Sequence, residues 1–145
     1  MKEHRISDMK IEAIHHVSLG VTDLDRSRKF YGEILGLEEI ARPAFGFPGA
    51  WFSAGASQQV HLIVHPHSTF RTGKGLDNRD GHFAVRVASY RQTVAYLQSK
   101  GYREDAGEDE FQRMILQPYA TAGFPQIYIL DPDRNVIEIN AAQLD

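Results

Sequence analysis

The chain has no cysteine. Disulfides, thiolate metal sites and cysteine nucleophiles are excluded together, so any metal must be held by His, carboxylate and water. It also lacks a run of the ~18 apolar residues that a membrane-spanning helix needs. The opening MKEHRISDMKIE carries positive charges with no apolar signal-peptide core behind them. A cytoplasmic protein with no membrane partner is the default expectation. An excess of positive charge is missing as well: 16 Lys and Arg against 19 Asp and Glu leave a formal net charge of −3, with nothing to attract nucleic acid or anionic lipid. The segment GKGLDNRDG has glycines and a lysine but neither the spacing nor the flanking strand of a phosphate-binding loop, which excludes a nucleotide site there.

What is present is a repeat. His16 opens HVSLGVTDLDRSRKFYGEILGLEE and His82 opens HFAVRVASYRQTVAYLQSKGYRE, each an alternating strand running into an amphipathic helix. Superimposing the two pairs Leu19 with Val85, Val21 with Val87, Leu24 with Tyr90 and Phe30 with Tyr96, so the chain reads as two similar halves. With 145 residues, 42% of them hydrophobic, it is the size of one domain with a substantial core. The predicted layout is an N-terminal extension over 1–10 and a single domain over 11–142. Its first module covers 11–66, a polar connector 67–79, and its second module 80–142.

Each module is expected to run β-α-β-β-β. The first strand is predicted from Ile11 to Val21, with Thr22 and Asp23 as a helix N-cap and Gly36 as its stop. Short strands are predicted at 37–40, 50–53 and 58–64, separated by Pro and Gly turn signals. The second module is predicted as a strand at 81–87, a helix at 89–100, and strands at 102–105, 125–130 and 135–139. The pattern leaves MILQPY open between an extra strand and a loop.

Strand alternation then sorts side chains by face, because residues i, i+2 and i+4 share one surface. Val17, Leu19 and Val21 form a packing set, which leaves His16, Ser18 and Gly20 opposite and puts His15 with the packing set. The same rule opposes Gln59, His61, Ile63 and His65 to Val60 and Leu62. It opposes His82, Ala84 and Arg86 to Phe83 and Val85, and Glu138 and Asn140 to Ile137 and Ile139. Four strands thus each offer a metal-ligand residue on the helix-free face: His16, His61, His82 and Glu138. Two His and one carboxylate fit a facial triad with open positions for substrate or oxygen, and His61 is compatible with a fourth ligand.

These residues resemble the vicinal oxygen chelate superfamily, which includes glyoxalase I, fosfomycin-resistance enzymes, bleomycin-resistance proteins and extradiol dioxygenases. The resemblance runs from IHHVSLGVTDLDRSRKFYGEILGLEE through QVHLIV and GHFAVRV to PQIYILDPDRNVIEIN. It implies an α+β fold, with two β-α-β-β-β modules forming an incompletely closed, mostly antiparallel barrel-like sheet and helices on the outside. It also implies a small-molecule substrate and a homodimer, often with each site completed across two chains. The family's ligand positions fall on His16, His82 and Glu138. The fourth position, a Glu in glyoxalase I, falls on His61.

The chemistry such a set supports is broad. One divalent ion (Fe, Mn, Ni, Co or Zn) held by these residues can chelate adjacent substrate oxygens as a Lewis acid, the work of a glyoxalase-like lyase or isomerase. Redox-active iron or manganese would instead suit an extradiol-type dioxygenase. A metal-free protein that sequesters a ligand, like the bleomycin-resistance branch, is the reading from outside enzymology. Glu138 is the carboxylate available as ligand or base and His61 the alternative base. Arg86 and Asn140, on the same faces, are candidates for orienting substrate, and Trp51, Phe45, Phe47 and Tyr119 for an apolar wall. His65 and His67 read as solvated loop residues.

Overall fold

In a computed structural model describing residues 3–65, 67, 71–107 and 110–145, two four-stranded mixed sheets share one core. After a short 3-10 turn at Ile6–Asp8 come β1 (His16–Val21), α1 (Leu24–Arg28, continued by a π-helical stretch over Lys29–Ile34), β2 (Glu38–Ile40), β3 (Gly49–Ser53) and β4 (Gln59–Val64). The second half adds β5 (His82–Val87), α2 (Tyr90–Ser99), β6 (Ile115–Gln117), β7 (Gln126–Leu130) and β8 (Val136–Ala141). The sheet orders, β1-β4-β3-β2 and β5-β8-β7-β6, are the same pattern twice. In each sheet the first strand pairs parallel with the fourth, and the other pairs are antiparallel. Among the described residues no closed barrel forms.

The helices begin where local chemistry allows. Asp23 accepts a hydrogen bond from the Arg26 amide and Ser89 from the Gln92 amide, each satisfying an N-terminal N–H that the helix itself leaves bare. Gly36 and Gly101 follow the helices with φ of +69° and +96°, the left-handed conformation that ends a helix at low cost in glycine.

Alternation supplies the core. Val21, Val60, Leu62, Ile137 and Ile139 from the strands pack with Phe30, Tyr31, Tyr90 and Leu97 from the helical segments in one cluster drawn from both halves. Buried polar groups tie the halves together. Tyr31 donates its hydroxyl to Asp131 at 2.7 Å, and the Thr22 hydroxyl donates to Asp133 at 2.7 Å. Asp131, fully buried, also accepts from the Asp133 and Asn135 amides and from the Asn135 side chain. That network shapes the tight turn between β7 and β8 and pins it to α1. Tyr31→Phe removes one donor from a buried carboxyl and is expected to cost about 1–3 kcal/mol in urea unfolding. A loss within measurement error would show that water replaces the hydroxyl there.

Two predicted strands differ for physical reasons. β1 starts at His16 instead of Ile11, because its neighbour β4 begins at Gln59, whose amide already bonds the His15 carbonyl. Ahead of that point the partner chain turns away through Gly55. Ile11 and Ile14 are left exposed. The strand predicted at 102–105 is reduced to one bridge, Arg103 to Arg113, since the edge of β7 is occupied by β6. MILQPY contains that edge strand. In the predicted connector, Arg71 bonds Asp80 and the Arg134 carbonyl, while residues 68–70 lie outside the described residues.

Candidate active site

Sheet register brings the four candidate ligands together in two pairs. In the first sheet β4 lies between β1 and β3, with His61 opposite Ser18 on one side and Trp51 on the other. The His61 ring is consequently sandwiched. It stacks on Trp51 at 4.0 Å with the planes 4° apart, and on His16 at 4.1 Å with the planes 17° apart. One nitrogen of each imidazole is engaged: His16 Nδ1 with His15 Nδ1 at 2.8 Å, and His61 Nε2 with Gln59 Oε1 at 2.7 Å. His16 Nε2 and His61 Nδ1 are left to meet a ligand. Burial lowers the pKa of His61, with smaller contributions from His16, His15 and Arg42 beside it, which favours the neutral ring with a lone pair to give.

His15 departs from its predicted face. It precedes β1, so the strand's alternation does not bind it, and its ring reaches the His16 ring at 5.1 Å.

In the second sheet Glu138 is the buried centre, 5% exposed. Oε1 accepts from Gln126 Nε2 at 3.0 Å and from the Tyr128 hydroxyl at 2.9 Å, and Oε2 accepts from Asn140 Nδ2 at 2.6 Å. These donors hold the carboxylate in one orientation. Arg86 and Asn140 form part of the same chain, because Arg86 Nε donates to Asn140 Oδ1 at 2.5 Å; the guanidinium also lies 5.2 Å from the centre of the Phe124 ring. Burial first, and then the bond to Glu138, push the Tyr128 hydroxyl up to about 12, so it stays a proton donor.

His82 completes the pair. Its Nδ1 contacts the Asp80 carbonyl at 2.7 Å; a carbonyl can only accept, so Nδ1 carries the proton. Its Nε2 lies 3.4 Å from Glu138 Oε1, so the two atoms can share either a proton or a cation. A backbone carbonyl that fixes the tautomer of an imidazole is also the usual outer support of a metal-ligating His. By donor type, imidazoles and one fixed carboxylate fit a divalent ion.

The two pairs do not merge within one chain. Among the described residues no group of three or more His, Asp or Glu side chains converges to hold a metal ion. Sequence reasoning missed Gln126 and Tyr128, although alternation in QIYIL puts both opposite Ile127 and Ile129, and register sets Tyr128 directly beside Glu138. Tyr119 is 88% exposed on the loop after β6, and Phe45 and Phe47 stand half exposed beside Trp51.

Comparison with known proteins agrees with the fold. Over 141 residues the chain is 26% identical to Glyoxylase I 4 of Arabidopsis thaliana, covering 96% of this chain and 76% of that protein. A glyoxalase family protein from Bacillus anthracis has the same fold at a TM-score of 0.71 and 24% identity, with 92% of this chain and 97% of that one covered. A variant of the fosfomycin resistance protein FosX from Listeria monocytogenes, complexed with Mn(II) and 1S,2S-dihydroxypropylphosphonic acid, matches at a TM-score of 0.64 and 20% identity, covering 93% and 95%. The sequence profile of the Glyoxalase/Bleomycin resistance protein/Dioxygenase superfamily matches residues 13–139, and the chain belongs to that superfamily.

Proposed function

We propose that this chain is a divalent-metal-dependent, glyoxalase-like lyase or isomerase acting on a small oxygen-rich substrate. The observation that carries the reading is the His82–Glu138 pair, two potential metal donors held 3.4 Å apart by their own supports. His82 and Glu138 would hold the ion together with His16 and His61. Bound there, a divalent ion supplies Lewis-acid stabilisation of negative charge on substrate oxygen.

The residues around it have separable roles. Neutral His61, with Nδ1 free, is suited to take a proton from substrate when it is not a ligand. Tyr128, kept protonated, gives its one hydroxyl hydrogen to Glu138 and holds the carboxylate in place. Arg86 acts on Glu138 through Asn140, so both position the carboxylate as well as facing substrate.

The site is completed in a homodimer, with His16 and His61 of one protomer facing His82 and Glu138 of its partner. Three features support this: the separation of the pairs in one chain, the open edges of β1 and β5, and the exposed apolar side chains of Ile6, Met9, Ile11 and Ile14.

Metal analysis of the purified protein beside a His16→Ala/Glu138→Ala variant tests the reading. Bound metal is expected in the first and little in the second; negligible metal in both would sink it. Oxygen uptake by iron-loaded protein with a panel of catechols separates the dioxygenase alternative. Lyase or isomerase chemistry consumes no oxygen, so no uptake is expected.

A further inference from the structure

The loop between β2 and β3 holds two phenylalanines half in solvent at a definite cost. Phe45 and Phe47 stack at 5.3 Å with the planes 19° apart, and are 45% and 43% exposed. Arg42 fixes them, its guanidinium 4.6 Å from one ring centre and 5.1 Å from the other, with Nη2 donating to the Phe47 carbonyl at 3.0 Å. To lie there Arg42 buries its Nε without a hydrogen-bond partner. Residue 49 must also be glycine, because a Cβ would stand 2.8 Å from Arg42 Nη2 and 2.4 Å from the Leu62 carbonyl oxygen. Two exposed rings held this firmly are a preorganised surface, which binds without paying to order itself.

The surface is continuous with the His16–His61 half-site. Phe45 lies 6.0 Å from Trp51, and the stack then runs through Trp51 and His61 to His16. A molecule whose oxygens lie at the histidines has these rings within reach of its remaining bulk.

We infer that Phe45, Phe47 and Trp51 form a subsite for a planar aryl substituent, so that the substrate class is an aryl-bearing molecule with adjacent oxygens. Offset or edge-to-face contact with the exposed rings, together with the apolar area covered, rewards a phenyl group over a methyl group. The inference rests on the proposed function in one respect: the oxygens must bind near His16 and His61.

Mandelate and lactate provide the test, since both are 2-hydroxy acids and they differ in a phenyl against a methyl group. Calorimetric titration of the zinc-loaded full-length protein is expected to give mandelate about ten-fold tighter binding than lactate. Trp51, the single tryptophan of the chain, should report mandelate binding by a change in its fluorescence. In a Phe45→Ala/Phe47→Ala variant, checked for unchanged thermal unfolding, the mandelate-to-lactate preference should fall to near unity. Equal binding of the two acids that requires zinc would overturn the subsite and leave the metal-chelate reading standing. A preference that persists without metal, in a protein that never takes one up, would retain the subsite and remove the enzyme reading. Failure of both acids to bind overturns the subsite. So does a preference unchanged in the double variant, including the case where that variant instead weakens dimerisation.

Discussion

Mixing two inactive variants is expected to restore metal binding and activity. One variant carries His16→Ala and His61→Ala, the other His82→Ala and Glu138→Ala, so each chain lacks one of the two ligand pairs. If each site takes one pair from each protomer, every mixed dimer contains one site with all four native ligands and one with none. Random exchange of equal amounts makes half of the dimers mixed, so about a quarter of the wild-type sites should return. Metal content and turnover should rise together from near zero to that level. The expectation follows from the stacking of His16 on His61 in one sheet and the approach of His82 to Glu138 in the other, with no convergence of the pairs among the described residues. Recovery of nothing, with dimers shown to have exchanged, would place any site within a single chain.

Glu138→Gln is expected to lower metal affinity by about 100-fold or more, measured by competition with a coloured chelator. The amide keeps the shape and one acceptor oxygen, so Tyr128 or Gln126 still finds a partner. What disappears is the negative charge that a bound cation would meet. Metal-free protein should lose little stability, because removing a buried charge offsets the bonds that weaken. The opposite pattern, unchanged metal affinity with a large drop in metal-free stability, would mean that the pair is an imidazolium–carboxylate ion pair serving the fold.

How much of the site was legible depends on how local each question was. His16, His61, His82 and Glu138 were placed on the open faces by alternation alone, a property of three or four consecutive residues in any strand. The same logic failed for His15, since pairing of β1 begins one residue later and the chain before it is free to turn. Tyr128 was readable by the same rule but stood in a strand whose polar residues carried no obvious ligand chemistry. The stack of Trp51 on His61 was beyond reach, because it requires the register of β3 on β4, which no pattern within either strand specifies.

The sequence by itself determined the duplicated strand-helix order, the apolar set of each strand and the residue types offered on the other face. Hydrophobic periodicity acts over neighbouring residues, and burial of one face then decides the other. Only the tertiary structure decided that the candidate ligands form two separate pairs among the described residues, that the Asp80 carbonyl meets Nδ1 of His82, and that an aromatic ledge adjoins one pair. Those depend on contacts between residues distant in the chain, set by how two sheets and two helices close on a single core.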